Sequence, residues 1–351
     1  MAKTPSMENL LKHLVEITGH RDHNLLDISI ISALSDLVGA RQARVLEIFR
    51  VREETFVRPR VWLKDGQAVS MEEHAEGDQS GEPISDFPAL VTCMEQHSVS
   101  IEETTAENEH VLWIPVWLNE KVSTCLHIVN ATPYTPAMKD VMNGILNVYR
   151  NFQNLLDYSE RDSLTGLLNR KTFDEKFSKM TAYIAPPDST GQEGDERRSS
   201  DEVREHWMAM VDIDHFKRIN DTFGHLYGDE VLILVANLLR ASFRAQDRIF
   251  RFGGEEFMIL LRSTTLEDAR RIFERFRASV EQYSFPQVGQ VTVSLGFVKI
   301  SAQTPVVLVG HADQALYYAK THGRNQVCHY EELIAAGLLY SGVSNDSVEF
   351  F

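Results

Sequence analysis

The stretch Arg251-Phe252-Gly253-Gly254-Glu255-Glu256-Phe257 decides how the second half of this 351-residue chain is read. Two glycines separate β-prone runs at 248–252 and 256–261, which predicts a tight hairpin. Glycine permits a positive φ in such a turn and lets a bulky ligand approach the backbone. Two glutamates directly after the glycines set carboxylates at the lip. Taken alone, the stretch also reads as an ordinary Gly-Gly hairpin with solvated acids.

Upstream, an apolar strand predicted at 207–213 delivers Asp212 at its C-terminal end, where ligands sit in open α/β sheets. The run Asp212-Ile213-Asp214-His215-Phe216-Lys217-Arg218-Ile219-Asn220-Asp221 follows. A polar loop with a turn-forming Asp is the plain reading. A lone carboxylate closing an apolar strand is costly to bury, however. Near a second carboxylate from the hairpin it suits Mg²⁺, which takes hard oxygen ligands and substrate phosphates. Around these runs the pattern predicts helices at 226–243, 265–281 and 311–322 and strands at 290–300 and 325–330, a mixed α/β domain. Residues 186–205 are rich in Pro, Gly, Ser and charge and predict a mobile insertion within it.

The first half differs. Helical spacing at 7–19 and 26–38 ends each time at a glycine, Gly19 and Gly39. Strands are expected at 43–51 and 60–63, the latter running into an Asp65-Gly66 turn. Residues 72–86 carry six acids and read as a solvated loop. Runs at 111–118 and 122–129 flank residues 119–121 as a hairpin. Together they form an α+β unit of sensor size. Trp62, Trp113 and Trp117 are candidates for a pocket wall or for plain core. From Pro136 onward, Met138, Met142, Ile145, Tyr149, Phe152 and Leu156 are spaced 4, 3, 4, 3, 4. That is a coiled-coil seam, or the apolar stripe of a helix packed on its own domain. The position between two domains favours a dimeric connector.

Composition excludes several classes. With 35 basic and 51 acidic residues the net charge is -16, against a nucleic-acid binder. Yet 22 of the basic residues fall in 159–351, beside the chemistry. No uncharged apolar run reaches membrane-spanning length, so no membrane span is expected. The start lacks signal-peptide character, and three scattered cysteines form neither CxxC nor a disulfide framework. A cytoplasmic location is the expectation.

Several motifs in one order make residues 159–330 resemble the GGDEF-domain diguanylate cyclases, with Gly253–Phe257 as the GGEEF variant. Residues 162–170 are similar to the family's DxLTGLxNR opening, with Leu168 where Pro is frequent. Residues 212–221, 222–225, Gly228-Asp229, 291–296 (Leu295 for Ile), 312–320 and 323–325 match in sequence. The resemblance implies condensation of two GTP into cyclic di-GMP by two facing domains of a homodimer. It implies Asp212, the Ile213 carbonyl, Glu255 and Glu256 as ligands of Mg²⁺, with Mn²⁺ as a substitute. Glu255, Glu256 and Lys217 would be catalytic, Glu255 drawing the 3′ proton. Lys217, Lys320 and Arg324 would face phosphate, and Gly253 and Gly254 would give the nucleotide room. Asn220 and Asp229 would read guanine. His225 would lie near the nucleotide or serve only as a helix-start residue.

Arg244-Ala245-Gln246-Asp247 stands at the family's offset for an RxxD product site, with Arg275 as a second-surface partner. This implies feedback by cyclic di-GMP. Residues 7–150 resemble a GAF-type sensor, with PAS as the rival, answering to an unknown small-molecule or protein signal. The expected fold is thus two-domain α/β (α+β). A GAF-like sensor spans 1–135, a signalling coiled-coil helix 136–160, a mixed-sheet cyclase domain 161–331 and a tail 332–351. The alternative function is a catalytically silent GTP or cyclic-di-GMP binding module.

Overall fold

A computed structural model describes residues 7–51, 54–64, 66–70, 81–118, 121–182, 204–244 and 246–339. The chain divides into two units, Met1–Ser159 and Glu160–Phe351.

In the first unit, α1 (Met7–Gly19) and α2 (His23–Val38) lead into β1 (Gln42–Val51), β2 (Glu54–Lys64) and β3 (Gln67–Ser70). Then come β4 (Glu82–Pro83), a 3₁₀ turn at Ile84–Asp86, α3 (Pro88–Glu95), β5 (Ile101–Thr104), β6 (His110–Leu118), β7 (Lys121–Asn130) and α4 (Pro136–Glu160). Asp22 caps α2 by accepting from the Asn24 and Leu25 amides, and Gly39 closes it in the left-handed region at φ 65°. The antiparallel sheet runs β3-β2-β1-β7-β6-β5, with β4 beside β2. Strand alternation splits its side chains between two cores. Val45, Val61, Leu112, Ile114 and Leu126 pack with α2 and α4. Leu46, Val57, Val111 and Trp113 pack with Leu90 of α3 on the other face.

Helix α4 packs its apolar stripe on its own unit, the second of the two readings its spacing allows. Met142, Ile145, Tyr149 and Leu156 of the seam are buried in the first unit's own core. Asp140, Gly144, Asn147, Asn151 and Asn154 occupy the opposite, exposed face. That apolar stripe is satisfied within the unit, while Leu155 and Tyr158 farther along α4 stay exposed.

A buried polar network ties α4 down. Asp27 of α2 is fully buried and accepts from Tyr149 Oη at 2.5 Å, Gln153 Nε2 at 3.1 Å and Arg60 Nε at 2.6 Å. His23 Nδ1 lies 2.6 Å from Gln153 Oε1. Burial pushes the Asp27 carboxyl up, and the Arg60 charge beside it pulls the other way.

On the opposite sheet face, burial, with the Arg44 charge adding to it, pulls His127 from 6.5 down to about 4. A depressed histidine contributes stability that is complete above the unfolded value and is lost as pH falls toward the folded one. Between pH 6.5 and 4 the first unit is therefore expected to lose about 3 kcal/mol through this group. Urea melts of wild type and His127→Gln across that range check it. The variant's stability should change less than the wild type's by that amount.

In the second unit, β8 (Leu168–Asn169) and α5 (Arg170–Ala182) precede β9 (Glu205–Ile213), α6 (Phe216–Phe223) and α7 (His225–Ser242). Next are β10 (Arg248–Arg251), β11 (Glu256–Thr264), α8 (Leu266–Gln282), β12 (Ser284–Phe285) and β13 (Gly289–Gln290). β14 (Val293–Lys299), α9 (Pro305–Thr321), β15 (Val327–His329) and α10 (Tyr330–Ala335) complete it. The sheet is mixed, in the order β15-β14-β9-β11-β10-β8, with β14·β15 and β8·β10 parallel. Val211 and Ile213 of β9 pack toward α7 and α8, and Met208 and Met210 toward α5 and α9. Gly296 of β14 brings α9 close, since a Cβ there would lie 2.1 Å from the Leu316 nitrogen.

The structure adds α3, α5, α6, α10 and short strands such as β3, β5 and β8 to the elements the pattern predicts. Helix α9 starts at Pro305 rather than 311. Residues assigned to a tail from 332 include the packed side chain of Leu333. The predicted 186–205 insertion lies almost wholly outside the described residues, as do most of the 72–86 loop, the 119–120 turn and the last residues of the tail.

Candidate active site

Alternation along β9 turns Asp212 to the face that carries α9. Its side chain is almost fully buried, and Lys320 of α9 reaches its Oδ2 at 2.7 Å. On either side Asp212 faces Glu256 of β11 and Ser294 of β14. Burial pushes the Asp212 carboxyl up to about 6; Lys320 opposes that, and Glu255 and Glu256 add to it. Glu255, half-buried, is also raised, first by burial and then by Glu256, against the Lys320 charge. Three carboxylates thus gather near one ammonium and are short of positive charge.

That deficit fits a divalent cation. Among the described residues no three His, Cys, Asp or Glu side chains form a ready metal cage. Mg²⁺ needs none, since one or two carboxylates with phosphates and water complete its shell. Asp212 and Glu255 are the carboxylates that could serve, and the Ile213 carbonyl is an adjacent hard oxygen.

The hairpin is held from below. Phe252 N donates to Glu256 O at 2.8 Å, and Ile213 N donates to Glu255 O at 3.4 Å. Neither Gly253 nor Gly254 has a positive φ, so the left-handed backbone expected there is not what requires glycine. Within the chain only the movable end of the Glu256 side chain crowds either position. A Cβ on Gly253 would stand 2.8 Å from Glu256 Oε2, and one on Gly254 would enter open space at the lip.

Two residues that had no assigned role organise the site. Arg251 donates through Nη1 to both Asp162 oxygens, at 3.0 and 3.2 Å, and through Nη2 to Gly254 O at 2.9 Å. It ties the motif at 162–170 to the hairpin. Burial would raise Asp162, but Thr165 and Arg251 outweigh it and hold the carboxyl below its usual range. Asp214 is buried and accepts from Thr292 Oγ1 and Ser294 Oγ, each at 2.7 Å, and from Asn325 N at 3.0 Å. It anchors the loop of Gly323, Arg324 and Asn325 to the end of β9. The only sequence signal for either residue was its position inside a quoted motif.

Asn220 lies on α6 and packs against Gly228 of α7, where a Cβ would stand 1.9 Å from Asn220 Oδ1. Glycine inside a helix costs about 1 kcal/mol relative to alanine, so a packing reason holds it there. Gly228→Ala is expected to displace the Asn220 amide while the fold survives, because the clashing atom ends a movable side chain. On the guanine-reading role the resemblance implies for Asn220, this should lower kcat/KM for GTP about tenfold to a hundredfold, mostly through KM. Steady-state kinetics with a melt as control check this.

His225 opens α7, and Asp229 stands one turn on; both are exposed. Lys217 and Arg324 are exposed too and form no ion pair among the described residues. The structure thus clusters Asp212, Glu255, Glu256 and Lys320, and leaves Lys217, Arg324, His225 and Asp229 open to solvent. At the RxxD run, Asp247 is buried and accepts from the Arg244 amide at 2.9 Å and the Arg262 amide at 3.3 Å. Its carboxylate shapes the turn that presents the exposed Arg244. Arg275, on α8, donates to Ser242 O at 2.8 Å.

Residues 193–326 match the family model described as diguanylate cyclase, GGDEF domain. The second unit carries a GGDEF domain. The GGDEF-bearing chain is 41% identical over 170 residues to the diguanylate cyclase DgcP of Pseudomonas aeruginosa, covering 47% of this chain and 23% of that one. It is 37% identical over 174 residues to the diguanylate cyclase VdcA of Vibrio cholerae, covering 47% and 45%. It spans less than half the length of either relative. Among solved structures, the coiled coil and GGDEF domain of DgcB from Caulobacter crescentus, in complex with c-di-GMP, is 26% identical. That match covers 55% of this chain and 96% of that chain, with a TM-score of 0.46. Among the described residues no helix is long and apolar enough to cross a membrane.

Proposed function

We propose that this chain is a diguanylate cyclase that joins two GTP molecules into cyclic di-GMP. In each of two steps a ribose 3′-oxygen attacks the α-phosphorus of the other GTP, a new P–O bond forms, and pyrophosphate leaves with the broken bond's electrons. The observation that carries the reading is the cluster of Asp212, Glu255, Glu256 and Lys320 at the end of β9. Bound Mg²⁺ supplies charge neutralisation and orients the phosphates. Asp212, Glu255 and the Ile213 carbonyl would hold it, with Glu256 as a further ligand.

The chain's own groups do the rest. Lys320, already at Asp212, with Lys217 and Arg324, meets phosphate charge, and positioning plus electrostatics dominate phosphoryl transfer. Glu255 takes the 3′ proton, directly or through a water. Asp229 accepts from the guanine N1–H and amine, and Asn220 both donates and accepts. Adenine offers the reverse pattern on that edge. The open space at Gly254 and the Asn220–Gly228 contact support this placement. His225, one turn from Asp229, lies beside the same ligand.

Each domain supplies one GTP, so the active species is a homodimer, and pairing raises the effective concentration of one site at the other. The first unit is read as a GAF-like sensor whose signal sets how often the sites meet. Product feedback is assigned to Arg244 and Asp247, with Arg275 on the second surface. Purified chain with Mg²⁺ and either GTP or ATP tests the activity, with products separated by chromatography. Cyclic di-GMP from GTP alone is expected. Bound but intact GTP at every protein concentration would favour a catalytically silent binding module.

A further inference from the structure

The first unit holds a cleft of about 50 Å³ on the sheet face that carries α3. Arg44, Leu46, Val57, Phe87, Trp113 and His127 line it. Three of them form a row across the sheet. Trp113 stands opposite His127 in the β6–β7 register, and His127 opposite Arg44 in the β1–β7 register. Opposed residues of antiparallel strands project to one face, so an indole, an imidazole and a guanidinium lie side by side.

The Trp113 Nε1 donates to Glu103 Oε1 at 2.7 Å, but the other two residues carry buried polar atoms without partners. His127 is 6% exposed, its ring centroid lies 4.3 Å from that of Trp113, and its Nδ1 is buried without a hydrogen-bond partner. The Arg44 Nε is buried without a partner as well, and among the described residues its guanidinium makes no ion pair. The other charges at the cleft are arranged differently. Arg58 pairs with Glu47 at 2.8 Å, and Glu82 lies on the exposed rim. Buried polar groups in native proteins nearly always have partners, so two orphans on residues that line one cleft point to a missing ligand.

We propose that this cleft binds a small carboxylate, its carboxyl group held by Arg44 and His127 and its short apolar body lying on Trp113, Phe87 and Val57. A guanidinium and a carboxylate match in charge and in planar fork geometry. One guanidinium beside a neutral imidazole complements a monoanion. A phosphate dianion would keep uncompensated charge against the apolar walls of Leu46, Val57 and Phe87. The volume admits only a few heavy atoms. The ligand class is independent of the cyclase reading, because it rests on the first unit alone and is tested by binding.

The experiment titrates the full chain with sodium propionate at constant ionic strength, following tryptophan fluorescence, since Trp113 forms a wall, and the melting temperature. Wild type should respond saturably and melt higher. Arg44→Met should bind at least about tenfold more weakly, and Arg44→Lys, which keeps charge without the fork, should fall between. Inorganic phosphate at the same concentrations should leave the fluorescence unchanged. Where Arg44→Met does not fold, His127→Gln is the second variant and should also weaken binding. The proposal is overturned by a wild-type response no different from that to chloride. Undiminished binding by the folded variants, or phosphate binding as tightly as propionate, overturns it equally.

Discussion

Glu255→Gln is expected to lower GTP turnover at least about a thousandfold while leaving the fold intact or more stable. The substitution keeps size and shape at the hairpin lip and removes one carboxylate charge. Glu255 lies in the field of Asp212 and Glu256, and these like charges help hold Asp212 above its usual range. Removing one relieves repulsion in the ligand-free protein. Gathered like charges cost the fold stability, so stability is the wrong measure of this site's fitness. The check pairs a thermal melt with a turnover assay. Lost activity at an unchanged or raised Tm is the expected pair. A variant that kept more than about a tenth of the activity would remove Glu255 from the chemistry.

Arg60→Met is expected to destabilise the first unit by about 3–5 kcal/mol. Arg60 donates to Asp27 at 2.6 Å, and Asp27 is fully buried among α2, α4 and β2. Without that cation the carboxylate keeps only Tyr149 and Gln153 as donors. A buried charge deprived of its partner is far costlier than a pair replaced as a whole. The double variant Asp27→Asn with Arg60→Met should therefore recover much of the loss. Urea melts of the full chain, following the transition of the first unit, test both. A single-variant loss below about 1 kcal/mol would make this an ordinary surface-type pair.

The site was legible in the sequence because its chemistry lies in short runs joined by strands. Period-2 burial brings Asp212 to the same face as Glu256, and the glycines mark where β10 and β11 turn. What escaped was whatever depended on partners remote in sequence. The 4, 3, 4, 3, 4 spacing of α4 shows that one face is apolar, and it shows nothing of what covers that face. Tyr149 and Gln153 meet Asp27 more than a hundred residues away. Asp27 itself stood as an acid on the buried face of α2, an anomaly whose answer, Arg60, lay on another element. Arg251 was likewise visible at the head of the deciding stretch. Its grip on Asp162 exists only once β8 and β10 are paired. Short elements were the other gap. Helix α6, at eight residues, is too brief for periodicity to separate it from the motif around it.

The measurement that bears most directly on the central claim is the yield of two products from one reaction. The purified chain is incubated with GTP and Mg²⁺ over a range of protein concentrations, and pyrophosphate and cyclic di-GMP are both quantified. The account predicts two pyrophosphates for each cyclic di-GMP, a specific activity that rises with chain concentration as pairs form, and no turnover with Asp212→Asn. Orthophosphate as the released product, or turnover that survives Asp212→Asn, would contradict it.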